Sequence, residues 1–253
     1  MKSLIITVAG MATRFNKDLQ SPTLKCLYNA NQPTHSLLAQ IIFKAQAFDQ
    51  IIIVGGYLFD ELREYVNDVF FDLSDRITLV YNPLYREYGS GYSLIKGIEA
   101  VRPDCDEVVF AEGDLFFDAD SFQKIVHAAS DVLTVTSDPI RADKAVAFYT
   151  DLSDTIHYLY DISHSYLEIK EPFRAIYNSG QIWKFTDVNK LKAVVSSLTG
   201  TQVQGTNLVI VQKYFETQPV SSMEIIPIRI WVNCNTIDDY HKVNNMIDEN
   251  PES

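Results

Sequence analysis

The sequence predicts an α/β protein: a single domain spanning residues 1–253, with a mixed but mostly parallel sheet flanked by helices and a small antiparallel extension. Three observations lead there. Short apolar, β-branched segments end repeatedly at Gly or Asp, as strands buried on both faces do. Between them lie amphipathic stretches whose apolar residues recur three and four apart, the spacing of one helix face. Strand–helix–strand units of this length close a parallel sheet through right-handed crossovers.

Residues 3–9, ending at Gly10, are apolar and β-branched and make the first buried strand. A polar loop from Met11 to about Thr34 holds Arg14, Lys17, Pro22 and Lys25. HSLLAQIIFKAQAF is helical, with Leu37, Leu38, Ile41, Ile42 and Ala45 on one face. DQIIIVGGY is the second strand, FDELREYVNDVF an amphipathic helix and ITLVYN the third strand. The loop YREYGSG leads into the helix YSLIKGIEAV, then the strand DEVVFAEGD, the helix SFQKIVHAA and the strand DVLTVTS. After about Lys144 the pieces shorten to KAVAFYT, TIHYLYD, YLEIK and RAIYNSGQIW, which suits an antiparallel extension or lid. Helices near 186–198 and 206–216, the strand EIIPIRIWVN and the helix TIDDYHKVNNMI complete the series. There is no repeat, low-complexity tract or linker.

Composition narrows the function. The chain is 47% hydrophobic and 21% charged, ordinary for a protein with a sizeable core. Its net charge of −12 repels polyphosphate backbones, which argues against nucleic acid and anionic membranes as partners. An anionic ligand therefore needs a local basic pocket beside glycines. Cys26, Cys105 and Cys234 are odd in number and lack metal-ligand spacing, so they are expected to be buried, reduced thiols of a cytoplasmic protein. The first strand begins too early for a signal peptide, and no apolar run approaches the roughly 20 residues that span a bilayer.

Ligands of open parallel sheets bind at the carboxyl ends of strands. The first such loop reads VAGMATRFNKDLQSPTLKCL, where Gly10 admits close backbone approach and Arg14 and Lys25 add cations suited to a triphosphate. It is neither a Walker A loop nor a dinucleotide fingerprint. Asp114 ends the strand EVVFAEGD, a position where a carboxylate can hold Mg²⁺. Asp118 and Asp120 precede a helix and suit capping instead. His157 and His164 read as surface or loop residues, and Tyr158, Tyr160 and Tyr166 suit sheet packing.

VAGMATRF followed by SPTLKCL resembles the signature of GT-A-type nucleotidyltransferases, an apolar strand, AGxGTRF and PKxL. NPLYREYGSGYSL is similar to the NPxYxxxNxxxSL segment of phosphocholine-type cytidylyltransferases, FAEGDLFFD to their GDxxFD, and WVNCNTIDDYHKV to their WxxIDxxxDY. Four motifs in order, over nearly the whole chain, are more specific than any one. The resemblance implies a Rossmann-like fold with a nucleotide-binding half, about 1–140, and an acceptor-binding half, 141–253. It implies transfer of CMP from CTP to a small phosphorylated acceptor (phosphocholine, a phosphonate or a phosphorylated amide such as phosphoglutamine). Pyrophosphate is released, Mg²⁺ or Mn²⁺ assists, and surface polysaccharide modification is the expected setting. A monomer or homodimer is expected.

Residue by residue, the resemblance puts Lys25 and Arg14 in catalysis, Lys25 at the α-phosphate and Arg14 at the β- and γ-phosphates. It puts Val8, Ala9, Gly10, Met11, Ala12, Thr13, Tyr81, Asn82, Gly89, Ser90, Gly91 and Glu112 around the nucleotide, with Ser90 also suited to cap a helix. Lys144, Glu168, Lys170, Asn178, Ser179 and Trp183 would form the acceptor wall, in a stretch that also holds Arg141, Glu171 and Arg174. Asp114 and Asn235 would hold the metal. Three departures stand out: Lys25 lies two residues later than the family's lysine, Ala12 replaces a glycine, and Asn235 replaces an aspartate, for which Asp238 or Asp239 are substitutes. The acceptor phosphate is already ionised near neutral pH, so no general base is required. Alternatives are a sugar-1-phosphate nucleotidyltransferase using another triphosphate, a GT-A glycosyltransferase, whose DxD the EGD at 112–114 only imitates, and a nucleotide-binding relative without catalysis.

Overall fold

A computed structural model of the chain describes residues 1–29, 32–142, 146–159 and 166–249. Its centre is β1 (Lys2–Thr7), where Leu4, Ile5 and Ile6 are wholly buried. Alternate side chains of a strand point to opposite faces, so Leu4 and Ile6 enter one core layer and Ile5 the other. β2 (Gln50–Gly55) and β4 (Glu107–Glu112) flank β1 in parallel, and β3 (Ile77–Tyr81) lies parallel beyond β2. The first layer is covered by α1 (Leu37–Phe43), α2 (Phe59–Val69) and α4 (Ala119–His127), through Leu38, Leu62 and Phe122 among others. The second is covered by α3 (Ser90–Glu99), α5 (Val188–Ser196) and α7 (Asn207–Phe215), through Leu94, Leu191 and Val211. The α/β class, the mostly parallel sheet and its antiparallel extension agree with the sequence.

The sheet runs β10-β6-β9-β4-β1-β2-β3. Beyond β4 come β5 (Leu115–Phe117), β6 (Val132–Thr136), β7 (Ala147–Asp151), β8 (Ile156–Leu159), the long β9 (Phe173–Phe185) and β10 (Glu224–Pro227). β9 is inserted antiparallel between β4 and β6, while its amino-terminal part pairs with β7, and β7 with β8. The apolar segment EIIPIRIWVN, expected as one strand, divides in two. β10 joins the main sheet, whereas β11 (Trp231–Asn233) pairs with β5 in a separate two-stranded sheet. Residues 166–170, YLEIK, form no strand, and a short α6 (Gly200–Val203) precedes α7.

The second small sheet positions the site. It carries the chain from β11 past Asp114, whose carbonyl accepts the Cys234 amide proton at 2.8 Å. α8 (Ile237–Glu249) then packs Tyr240, Val243 and Ile247 on Phe15 and Phe116 in a third apolar cluster. Tyr28 bridges Phe15 and Tyr240 edge-on, at 5.1 and 4.9 Å. The long polar loop after β1 is thus pinned at Phe15, 1% exposed, and at Tyr28, rather than free over the sheet. All three cysteines are free and buried, and burial pushes the Cys26 and Cys234 thiols up to about 12. Among the described residues no helix is long and apolar enough to cross a membrane.

Candidate active site

A cavity of about 250 Å³ opens at the carboxyl ends of β1, β3 and β4. It is lined by the Val8–Gly10 turn, Ala12, Lys25, Glu112 and Asp114, and by Asn82, Tyr88, Gly89, Ser90 and Ser93. Each part has a local cause. β1 ends at Thr7, and a side chain added at Gly10 meets no atom within 4 Å, so this turn offers bare backbone. Ala12 takes φ 49°, the left-handed conformation that explains why the related motif has glycine here. Gly113 permits a tight corner: a Cβ there would lie 2.2 Å from Val8 Cγ1 and 2.9 Å from the Thr7 carbonyl. That corner turns Asp114 toward the loop.

Lys25 reaches Asp114 from across the cavity, its ammonium donating to Oδ2 at 2.7 Å, with side chains 16% and 23% exposed. The other carboxylate oxygen, Oδ1, is buried with no hydrogen-bond partner among the described residues. Arg14 donates to the Asn235 Oδ1 at 2.9 Å. Asn235 Nδ2 donates to the Asn233 Oδ1 at 2.7 Å, and Asn233 Nδ2 to the Gln181 Oε1 at 3.4 Å. This row of amides turns the oxygen of Asn235 toward the arginine. Two cations of the loop therefore face the two residues expected to hold a metal. An orphaned carboxylate oxygen and an amide oxygen are hard donors that fit Mg²⁺ or Mn²⁺. Asp239 is already engaged: its Oδ2 accepts the amide protons of Asn235 and Thr236 at the start of α8. Asp118 likewise caps α4, accepting from the Ser121 amide at 2.9 Å.

Glu112 is half-buried and its Oε1 accepts from the Asn207 Nδ2 at 2.5 Å. Burial and then the Asp114 charge push its carboxyl up to about 7, against the opposing pull of Asn207 and Lys25. Asn207, at the start of α7, also donates its amide proton to the Ser90 Oγ at 3.1 Å. Composition and motif do not single out Asn207, Asn233 or Gln181. Only the repeated asparagines of WVNCN hint at the amide row.

Several expected site residues lie elsewhere or act otherwise. Met11, Thr13 and Arg14 are exposed and outside the cavity lining. Tyr81 packs at a tilt against Phe59, ring centroids 5.1 Å apart, and borders a different hollow over α2. The amides of Gly89 and Gly91 are spent on the carbonyls of Gln204 and Gly205, where an added Cβ would come within 2.5 and 2.8 Å of the Gly205 oxygen. Both glycines pack closely on that backbone, and Gly89 also lines the cavity. The cap of α3 is Gly89, and Ser90 is its first residue. Asn82 lines the cavity, yet its oxygen accepts from the Leu84 amide and its nitrogen donates to Ser93.

No described residue of the expected acceptor wall lines this cavity. Trp183 is wholly buried, stacked on Phe110 at 5.2 Å and donating to the Tyr158 hydroxyl, so it is core. Ser179 is also wholly buried and accepts from the Gln181 amide. Asn178 is 7% exposed, and its Oδ1 is buried with no partner among the described residues. Glu168 and Lys170 pair with each other at 3.5 Å on an exposed segment. Lys144, Tyr160 and His164 lie outside the described residues. His157 is not a loose surface group: it pairs with Asp151 at 3.0 Å across the β7–β8 hairpin.

Known proteins share this fold. The chain superposes on the inositol-1-phosphate CTP transferase of T. maritima with a TM-score of 0.70 and 16% identity, over 99% of this chain and 97% of that one. A glucose-1-phosphate thymidylyltransferase from Bacillus anthracis, itself described as putative, gives 0.70 and 14%, over 97% and 95%. The CTP:phosphocholine cytidylyltransferase of Streptococcus pneumoniae gives 0.65 and 17%, over 97% and 99%. These likenesses establish the nucleotidyltransferase fold. In sequence, 90 residues are 40% identical to the choline-phosphate cytidylyltransferase of Haemophilus influenzae, a stretch that spans 35% of each chain, about a third of that relative's length. Residues 21–247 match the family described as "Domain of unknown function (DUF6564)", and the chain belongs to that family.

Proposed function

We propose that this protein is a cytidylyltransferase, joining CMP from CTP to a small phosphorylated acceptor and releasing pyrophosphate. The observation that carries the reading is the Lys25–Asp114 contact at 2.7 Å in a cavity that the Val8–Gly10 turn also lines. A cation, a carboxylate and the open backbone at Gly10 meet there in a chain of net charge −12, so the positive field is local and directed. The preference for CTP draws on the sequence relative and two of the structural neighbours.

In this reading the amides of the turn and Arg14 hold the β- and γ-phosphates. Lys25 swings from Asp114 to the α-phosphate, where charge builds as pyrophosphate leaves. Asp114 Oδ1 and Asn235 Oδ1 would hold Mg²⁺, which when bound would supply fixed positive charge against the charge that develops on the leaving group. The acceptor phosphate attacks the α-phosphorus in line, ionised already, so the residues position and neutralise rather than move protons. An acceptor wall lacking Trp183 and Ser179 leaves the acceptor open among phosphocholine, phosphonates and phosphorylated amides. A cytoplasmic setting and a part in surface polysaccharide modification follow from the same reading.

The test is pyrophosphate release by the whole chain with Mg²⁺, four nucleoside triphosphates and a panel of phosphorylated metabolites. The expected result is release with CTP and one acceptor class. Release only with another triphosphate and a sugar 1-phosphate overturns the cytidylyl assignment, and release with none overturns the transferase.

A further inference from the structure

The β7–β8 hairpin carries a second cluster of ligating side chains, apart from the cavity. Tyr149 and Asp151 stand two apart on β7, and His157 of β8 pairs with Tyr149, so strand alternation puts all three on one face. At the start of β9 Phe173 pairs with Asp151, whereas Ile182 of the same strand pairs with Ala111 of β4. The length of β9 thus separates this face from the strand ends at the cavity, whose lining includes none of Asp151, His157 and Glu171. Glu171 lies just before β9, and its Oε1 accepts from the Tyr149 hydroxyl at 2.7 Å. His157 Nε2 is 3.0 Å from Asp151 Oδ2 and 4.0 Å from Glu171 Oε1. Among the described residues this is the one group of three such side chains whose ligand atoms all lie within 4.8 Å of one another.

We propose that Asp151, His157 and Glu171 bind a zinc ion that clamps the β7–β8 hairpin to the segment entering β9. Two carboxylates converge on one imidazole, which brings at most one positive charge, whereas a divalent ion balances both. Bonds of about 2.0–2.2 Å set neighbouring ligand atoms of a tetrahedral zinc roughly 3.3 Å apart. The separations of 3.0 and 4.0 Å bracket that value. Each side chain is also held in place by a partner of its own. Asp151 Oδ1 accepts the amide protons of Ser153 and Thr155 at 2.8 and 2.9 Å, which leaves Oδ2 facing the imidazole. Tyr149, 8% exposed, stacks its ring on His157 at 4.9 Å while its hydroxyl holds Glu171. Outer contacts of this kind orient the ligands of metal sites. An imidazole suits zinc rather than Mg²⁺ or Ca²⁺, and three protein ligands leave the fourth position to water.

Calorimetric titration of the chelator-treated whole chain with Zn²⁺, at neutral pH and with excess Mg²⁺ present, tests the site. The wild type is expected to take up one ion per chain. Losing an outer partner of a metal ligand weakens binding by about 10- to 100-fold, so losing a ligand itself should cost at least roughly a hundredfold. That is the expected result for His157→Ala, Asp151→Asn and Glu171→Gln, while Tyr149→Phe, which removes only an outer partner, should cost roughly tenfold. Zinc should raise the Tm of the wild type and leave that of the three ligand variants unmoved. Circular dichroism checks folding; the two amide substitutions keep the size of the side chain and serve if His157→Ala does not fold. Wild type that binds no zinc overturns the proposal, and so does unchanged affinity in any one of the three ligand variants. His35, paired with Asp248 at 3.4 Å, is the control. His35→Ala should bind as the wild type does, and a loss there instead would place the ion at that pair. No nucleotide enters the measurement, so the clamp and the transferase reading stand or fall separately.

Discussion

Replacing Lys25 by methionine keeps most of the stem and deletes its charge, and the contacts of the ammonium set the consequences. It lies 2.7 Å from Asp114 Oδ2, and Oδ1 already has no hydrogen-bond partner among the described residues. Without Lys25 neither oxygen is paired. Leaving a largely buried carboxylate in that state costs about 1–3 kcal/mol. In a chain of this size each kcal/mol lowers Tm by about 2–4 °C, so the expected fall is about 2–12 °C. Turnover should fall at least roughly a hundredfold, the usual cost of removing one fixed donor from a developing charge. Magnesium should act in the opposite sense. In the free wild-type protein the ammonium competes with a divalent ion for Asp114, so Lys25→Met should gain more stability from Mg²⁺ than the wild type does. Thermal unfolding across a Mg²⁺ series without nucleotide, beside a pyrophosphate-release assay, measures both arms. Equal Mg²⁺ shifts together with near-normal turnover would show that Lys25 and Asp114 do not face a shared metal and phosphate.

Gly10→Val should leave stability within about 1 kcal/mol of wild type, because the new side chain enters open space, yet weaken CTP affinity by blocking the turn; unchanged affinity by titration would remove the turn from the site. Gly91→Ala places a Cβ 2.8 Å from the Gly205 carbonyl and should cost about 1–3 kcal/mol in chemical denaturation, with or without nucleotide; a neutral substitution would show that the packing there is slack. Asn235→Asp should keep its contact with Arg14 and retain or raise Mg²⁺ affinity by calorimetry; a fall would place the second metal ligand elsewhere. The backbone amide of Thr155, then His157, hold the Asp151 carboxyl below its ordinary range. A depressed carboxyl stabilises the fold above the unfolded-state value and loses that contribution as pH falls through its own. Wild type should therefore exceed Asp151→Asn in Tm at neutral pH and converge with it in acid; a gap that persists at the acid end would refute the pairing.

Local pattern carries the legible part of this molecule. β1, β2 and β4 are runs of β-branched residues, and the motifs around Gly10, Lys25 and Asp114 lie at strand ends or in the loop that follows, where a parallel sheet gathers ligands. Lys25, although displaced by two residues from the related pattern, does reach Asp114. The glycines of YGSG mark close approach without saying to what; the structure brings them against the Gly205 backbone. Trp183 and Ser179 mislead because a strand's alternation sorts side chains between two faces without saying which face is covered. β9 lies between β4 and β6, and both residues are wholly buried there.

The sequence by itself determined the α/β class, the ends of the parallel strands and the cationic turn, since these depend on hydrophobic period, glycine and charge within short windows. Tertiary structure alone decided that β9 enters the sheet antiparallel, that EIIPIRIWVN divides between two sheets, and that Asn207 and Asn235 reach β4 and the first loop. Those two asparagine contacts span 95 and 221 positions, and a single chain carries no local signal for a hydrogen bond whose partner is fixed only when the sheet has closed.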